Sequence, residues 1–334
     1  MGTVTVSSLM TDASQHNVRL VYMATAEFAV PTLHRLISES YTLAAVVTQP
    51  DKPSGRGQLM HASPVKRNAL QLQLSVHQPA TLRDDSARVF FEELQPDCII
   101  VVAYGKILPP WLIRLPRFGV VNLHGSLLPK YRGAAPIQWA LANGETETGV
   151  CTMQIDEGLD TGPVYLCEKT AIRAEETIPQ LSDRLADLGA ELMVRTLSGM
   201  VSGSLQATPQ DHSRASIAPI LRKEDGYIDW RWPAATIHNR VRAFNPWPGT
   251  VTQFRGSICR ILKSKVARLQ EEAKSPGSIA SSKGMVTVAC GDGVGLEVIE
   301  VQLPGRKPVS GTDFANGMRI QAGDCFELEV RQLT

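Results

Sequence analysis

The first two hundred residues alternate short β-rich apolar runs with helical patterns, and this alternation constrains the fold more than any other feature of the chain. Arg19 to Met23, Leu43 to Thr48, Cys98 to Ala103 and Val120 to His124 read as buried strands. Between them, Pro31 stands near the start of one helical pattern, Ser63 and Pro64 supply a cap and first turn for the next, and Asp84 precedes a third. The fold class expected is α/β, a Rossmann-like parallel sheet with helices on its faces. In such sheets ligands bind outside the carboxyl ends of the strands. The residues to inspect are therefore Ala103, Tyr104 and Gly105 after one strand, and Asn122, Leu123 and His124 at the end of another.

Further along, the pattern changes. A Leu- and Ala-rich helix is expected from about Pro179 to Ser198, closed by Gly199. The Ser, Gly, Pro and Gln stretch from Ser202 to Pro219 has no apolar periodicity and reads as a linker. After it, runs such as Gly284 to Cys290 and Gly295 to Val301 set β-branched residues between glycines, which points to a small OB-like β-barrel. A length of 334 residues suits two domains, and a 43% hydrophobic, 20% charged composition supplies packed cores for both. The expected division is a flexible extension over 1–17, the α/β domain over 18–201, the linker over 202–218 and the barrel over 219–334.

Several function classes drop out. No apolar run approaches the roughly 20 residues needed to cross a bilayer. The leading 17 residues lack the charged-then-apolar order of a secretory signal and hold no Arg, so an extension is expected there rather than a targeting segment. The six cysteines (Cys98, Cys151, Cys167, Cys259, Cys290, Cys325) form no CxxC pair, and no His is spaced to complete a zinc site. Reduced thiols, no metal and a cytoplasmic protein are the expectation. Met23-Ala24-Thr25-Ala26 lacks the glycines of a dinucleotide-binding turn. Gly291 to Gly295 lies between strands with no helix behind it, which makes it a hairpin turn rather than a phosphate loop. The net charge of +1 advertises no nucleic-acid partner. Between Leu221 and Leu269, however, Arg222, Lys223, Arg231, Arg240, Arg242, Arg255, Arg260, Lys263, Lys265 and Arg268 stand against only Glu224, Asp225 and Asp229. That stretch is either a solvated face or an anion-binding one.

The densest chemical signal runs from Val121 to Pro129 and on through Lys130, Tyr131, Arg132 and Gly133. Asn122 and His124 are two apart at a strand end, so their side chains project to the same side and can converge on one atom. An Asn amide and a His ring nitrogen both donate to a carbonyl oxygen, and both bonds strengthen as that oxygen becomes anionic in a tetrahedral intermediate. A strand-end His satisfied by backbone is the structural alternative; the neighbouring Asn, the following Gly and the place at the sheet's carboxyl edge weigh against it. The second signal is the segment from Gln154 to Pro163, three carboxylates in a glycine-bracketed loop. A carboxylate near His124 would fix the ring, favour its charged form and take a proton from an attacking amine. Residue types leave Asp156, Glu157 and Asp160 open as that group, with an acidic surface loop as the bland alternative. Cys98 and Cys151 lie in apolar strand-like runs and read as core thiols.

The run from Asn122 to Gly133, extended through Ala134-Ala135-Pro136-Ile137-Gln138-Trp139, together with Gly158-Leu159-Asp160-Thr161-Gly162, resembles the folate-dependent formyltransferases. The likeness covers nearly the whole chain from about Val18. It includes Thr48-Gln49-Pro50-Asp51-Lys52-Pro53 with Gly55-Arg56-Gly57, Val102-Ala103-Tyr104-Gly105, and Arg242-Ala243-Phe244-Asn245-Pro246-Trp247-Pro248-Gly249. The Gly-Arg-Gly loop and the Phe-Asn-Pro-Trp-Pro segment favour the branch that acts on tRNA. The resemblance implies that Asn122, His124 and Asp160 are the catalytic trio. It implies 10-formyltetrahydrofolate as donor, set against Ser126, Leu127, Leu128 and Pro129, with Tyr104, Gly105 and Asp156 shaping the pterin pocket. The implied acceptor is the α-amino group of initiator methionyl-tRNA, met by Arg56 and by Lys223, Arg240 and Arg242 of the basic second domain. The family usually has Gly and Pro where this chain has Ala24 and Ala26, and a more basic loop than Gln58-Leu59-Met60-His61.

Nothing in the apolar pattern marks a partner surface, so a monomer is expected. Two other readings compete. One keeps the chemistry and changes the acceptor to an amino-sugar nucleotide or water; the basic second domain weighs against it. The other is an RNA-binding module with a dead sheet domain; the intact trio weighs against that.

Overall fold

The apolar runs become strands because such runs bury both faces only inside a sheet. In chain order the strands of this part are β1 (Arg19–Ala24), β2 (Thr42–Val47), a short hairpin of β3 (Lys52–Ser54) and β4 (Leu59–His61), β5 (Val76–His77), β6 (Cys98–Val102), β7 (Val120–His124), β8 (Arg132–Gly133), β9 (Glu147–Gln154), β10 (Val164–Ala171) and β11 (Ile217–Ala218). Seven of them form one sheet in the order β10-β9-β7-β6-β1-β2-β5. The five from β7 to β5 run parallel, β9 is added antiparallel to β7, and β10 antiparallel to β9. This computed structural model describes residues 18–54, 59–269, 275–282, 285–321 and 323–328. The expected extension over 1–17, the Gly55-Arg56-Gly57 loop and Gly284 lie outside the described residues.

Prolines or side-chain caps open the helices. Pro31 opens α1 (Val30–Ser38). Ser63 Oγ accepts the Lys66 N–H at 3.1 Å before α2 (Pro64–Gln71), and Asp84 Oδ1 accepts the Ala87 N–H at 2.9 Å before α3 (Asp85–Leu94). Next come α4 (Pro110–Arg114), α5 (Pro136–Ala142) and α6 (Ile178–Val201). Helix α6 runs past Gly199, where it was expected to close, and stops short of Gly203, whose φ of +73° lets the chain reverse. Val21, Met23, Phe91, Ile99, Leu112 and Val120 share one buried cluster beneath the sheet's central strands.

The chain divides into two compact units. The first holds the residues up to Pro136 with Glu147–Ala171 and Ser182–Ala218; the second holds Ile137–Thr146, Ile172–Leu181 and the residues from Pro219 on. Residues 202–218 are bonded into the first unit: Thr208 bridges to Val164, and β11 pairs in parallel with β8. The second unit carries α7 (Ala234–Phe244), then β12 (Thr250–Phe254), β13 (Ser257–Ala267), β14 (Ile279–Ser282), β15 (Met285–Ala289), β16 (Gly295–Gln302), β17 (Val309–Ser310) and α8 (Gly311–Met318). Its strands form an antiparallel sheet in the order β12-β13-β16-β15-β14, with β17 on β16, curled into a half-barrel. Trp230, Phe254, Phe314 and Phe326 fill its core. The glycine segment before β16 is a tight turn, closed by the Cys290 N–H on the Val294 carbonyl at 3.0 Å.

One expectation needs correction. Cys151 and Cys167 occupy paired positions of β9 and β10 and are joined in a disulfide, so the six cysteines are not all reduced thiols. The two are 16 residues apart in sequence, and only the strand register sets them side by side. Cys98, Cys259 and Cys290 are free and buried, and Cys325 is free and exposed. No helix among the described residues is long and apolar enough to cross a membrane.

Candidate active site

Strand β7 ends between β6 and β9, so its last residues are held from both sides. Asn122 pairs with Val101 and Met153, and His124 with Cys151. Both side chains leave the same face of the sheet. His124 is 5% exposed, and its Nε2 lies 2.9 Å from the Tyr131 carbonyl oxygen. A carbonyl only accepts, so this nitrogen carries the proton and donates it. Nδ1 is left for chemistry: it accepts when the ring is neutral and donates when the ring is charged. The half-buried Asn122 amide makes no hydrogen bond to any described residue. A free amide beside a fixed imidazole suits an oxygen on which charge develops.

The three carboxylates that residue types left open have three different surroundings. Asp156 is consumed inside its own loop, its Oδ1 accepting the Gly158 N–H at 3.0 Å and the Thr161 hydroxyl at 2.7 Å. Glu157 points outward to an exposed ion pair with Arg114 at 2.6 Å. Asp160 lies beside His124, with Oδ2 3.7 Å from Nδ1 and accepting the Gly133 N–H at 2.8 Å. Asp160 adopts a φ of +51°, a left-handed conformation that costs a non-glycine residue about 1 kcal/mol or more and persists only where neighbours hold it. Gly133 is glycine for a packing reason as well: its φ is +120°, and a Cβ there would lie 2.5 Å from the Ala218 carbonyl oxygen.

The residues expected around the donor fall into two groups. Leu127, Leu128 and Pro129 are half-buried in the loop after β7, and Gly105 is exposed in the loop after β6. Ser126 and Tyr104 face inward. Ser126 is 0% exposed and its hydroxyl donates to the Lys130 carbonyl at 2.6 Å. The Tyr104 ring is in the core, where burial pushes its hydroxyl up to about 12, while its carbonyl accepts from Thr25 Oγ1 at 3.0 Å and Gln49 Nε2 at 2.7 Å. The Ser126 hydroxyl and the Tyr104 carbonyl thus hold the loops after β7 and β6. Two apolar side chains that the sequence reading passed over are the exposed ones, Ile107 at 89% on the loop after β6 and Leu159 at 60% beside Asp160. Only tertiary exposure distinguishes them from core residues.

The basic stretch of the second unit also divides. Arg242, expected on a phosphate-contacting surface, is 9% exposed. Its guanidinium donates to the Arg173 and Glu176 carbonyls at 3.2 and 3.0 Å and to Asn239 Oδ1 at 2.6 Å. Its guanidinium is directed at neighbours inside the unit. Arg240 is likewise an internal strut, its guanidinium 4.5 Å from the Trp232 ring centroid and donating to the Asp225 carbonyl at 2.9 Å. Burial holds both guanidinium groups below their ordinary pKa. Arg231 and Arg255 pair with Asp229 and Asp324. Lys223 is exposed, as are Arg222, Arg260, Lys263, Lys265 and Arg268, and none of these makes an ion pair among the described residues. Arg56 lies outside the described residues.

Solved structures share this fold at low identity. A sugar 3N-formyl transferase superposes with a TM-score of 0.62 at 19% identity, covering 87% of this chain and 99% of that one. The N-formyltransferase of Helicobacter canadensis gives 0.63 at 18%, covering 84% and 98%. Residues 17–197 match the model of the formyl transferase family, and residues 220–319 match that of the formyl transferase C-terminal domain. The class defined is that of the formyl transferases. The chain is 48% identical to the methionyl-tRNA formyltransferase of Solibacter usitatus, over 91% of this chain and 96% of that protein. It is 44% identical to that of Alkaliphilus oremlandii, over 92% and 99%. Within the class, the chain belongs to the methionyl-tRNA formyltransferase family.

Proposed function

We propose that this enzyme transfers the formyl group of 10-formyltetrahydrofolate to the α-amino group of initiator methionyl-tRNA, with Asn122, His124 and Asp160 as the catalytic set. The observation that carries the chemistry is the combination of an imidazole fixed through Nε2, a carboxylate 3.7 Å from its Nδ1, and a side-chain amide with no partner among the described residues on the same strand end. An α-amino group has a reference pKa of roughly 8, so a neutral fraction exists near pH 7 and no strong base is needed. The amine nitrogen attacks the formyl carbon, and the carbonyl oxygen becomes anionic. The Asn122 amide and, with the ring in its charged form, the His124 Nδ1–H donate to that oxygen. Asp160 holds the ring in the orientation that presents Nδ1 and accepts the proton lost by the attacking nitrogen. The bond from the formyl carbon to the folate nitrogen then breaks, and that nitrogen leaves with the proton returned to it. Leu127, Leu128, Pro129 and the exposed Ile107 and Leu159 supply apolar surface for the flat donor. Exposed Lys223, Arg222 and Arg260, with Arg56, supply phosphate contacts for the tRNA. The reading makes the enzyme a monomer of the cytoplasm, where tRNA is charged.

The test offers the protein 10-formyltetrahydrofolate with methionyl-tRNA in one tube and an amino-sugar nucleotide in another. Formylated methionine on the tRNA alone is the expected result. Formylation of the sugar alone sinks the acceptor, and tRNA binding without turnover sinks the chemistry.

A further inference from the structure

The stretch from residue 208 to 218 contains no catalytic side chain and no apolar pattern, yet it is hydrogen-bonded to both sides of the site. We propose that it is a positioning strap, in which Gln210 aims Asp160 and Ser216 holds the carbonyl that anchors His124; the proposal rests on the catalytic set assigned above.

Gln210 is 9% exposed and its amide is fully committed. The two N–H groups donate to the carbonyls of Asp160 at 2.9 Å and Gly162 at 2.7 Å. Its oxygen accepts from Arg132 at Nε (3.1 Å) and Nη2 (2.7 Å). Two donors and two lone pairs are the whole capacity of a carboxamide, so its orientation is forced. Arg132 itself is 5% exposed and makes no ion pair among the described residues; its other partner is His212 Nδ1 at 3.1 Å. A buried guanidinium bonded only to neutral groups is an unusual expense for a protein. Here it pulls electron density toward the amide oxygen and strengthens the N–H bonds on the far side. Those hydrogen bonds hold the carbonyl of Asp160 itself and that of Gly162 two residues on, fixing the exit from the left-handed turn at Asp160, φ +51°, which directs Oδ2 at Gly133 and His124.

The second hold is on the imidazole. The Tyr131 carbonyl that receives Nε2 belongs to a residue at φ +59°, and its N–H donates to Ser216 Oγ at 2.9 Å. The next N–H, of Arg132, donates to the Ser216 carbonyl at 2.8 Å. The strap thus reaches the carboxylate through Gln210 and the imidazole through Ser216, without touching a reacting atom.

The discriminating variant is Gln210→Glu. It keeps the oxygen that accepts from Arg132 and adds an ion pair there, which offsets part of the cost of turning acceptor atoms toward two carbonyls, and its fold is checked by circular dichroism and Tm. The expected result is a kcat lower by about 10- to 100-fold, the loss typical of a misplaced catalytic group, with KM for the acceptor within about twofold and a displaced pH–rate profile. Ser216→Ala, on a less buried residue, is expected to lower kcat about threefold to tenfold with the same signature. Release of tetrahydrofolate is followed with whichever amine the wild type formylates, so an error in the acceptor leaves this test standing. The strap is overturned by a folded Gln210→Glu protein with wild-type kcat and pH profile. If that variant does not fold, wild-type kcat and pH profile in Ser216→Ala overturn it instead.

Discussion

Two sets of cations use positive charge in opposite ways, one buried in the first unit and one on the surface of the second. In the first, Arg132 is buried, its hydrogen bonds go to Gln210 and His212, and its effect is to hold a loop. In the second, Arg222, Lys223 and Arg260 are exposed and unpaired among the described residues, and their effect is a field reaching into solvent. Around His124 the ring Nε2, the Ser126 hydroxyl and the Asp160 carboxylate are each bonded to another protein group, while the Asn122 side-chain amide has no partner among the described residues. The difference separates preorganisation, which governs kcat, from attraction of a polyanion, which governs KM and its response to salt.

Substitutions test that separation directly. The largest effect is expected from His124→Ala, which should lower the single-turnover transfer rate about 1000-fold, with Asp160→Asn and Asn122→Ala about 100-fold each, while acceptor binding stays near wild type. Near-normal single turnover in His124→Ala or Asp160→Asn would remove the catalytic set. Next comes Arg242→Ala, which takes its donor from the Glu176 carbonyl and the Asn239 oxygen and leaves the Arg173 carbonyl only the Glu176 N–H. Urea denaturation should show a loss of about 3 kcal/mol, against less than about 0.5 kcal/mol for Lys223→Ala. Equal losses would erase the distinction between internal and surface cations.

Removing Lys223 and Arg260 together should raise KM for the tRNA about tenfold at unchanged kcat, and flatten the dependence of binding on salt. A fall in kcat instead would place these residues nearer the chemistry than the comparison allows. The smallest effect concerns His238, whose Nδ1 meets Ser264 Oγ at 3.2 Å and whose Nε2 lies 3.9 Å from Glu175. Burial, with the Arg242 charge beside it, holds this imidazole below its ordinary pKa. The unfolded chain therefore takes up the proton first. The stability it contributes is complete above the unfolded pKa and is lost as pH falls below it. His238→Gln should flatten the decline of Tm between about pH 7 and pH 5, and an unchanged slope would assign that decline to other groups.

Much of the first unit was legible because its signals are local. Strand runs such as Val120 to His124 need only their own apolar residues, and the caps at Ser63 and Asp84 act within three residues. The pairing of Asn122 with His124 follows from the two-residue period of a strand. Charge counts alone do not separate Arg240 and Arg242 from Lys223, because a guanidinium that donates to carbonyls inside the unit has the same letter as one that faces solvent. Spacing likewise could not show that Cys151 and Cys167 share a register position.

The sequence by itself determined the alternation of strand and helix, the strand-end Asn and His, and an acidic loop within reach. Period, capping and residue chemistry act over a few neighbours and leave their marks in order along the chain. Tertiary structure decided which carboxylate faces His124, since Asp156, Glu157 and Asp160 differ only in what surrounds them. It also decided that residues 208–218, blank in apolar pattern, brace the site. Hydrogen bonds from Gln210 to Asp160 and from Tyr131 to Ser216 span 50 and 85 residues, and no local pattern records a partner that far away.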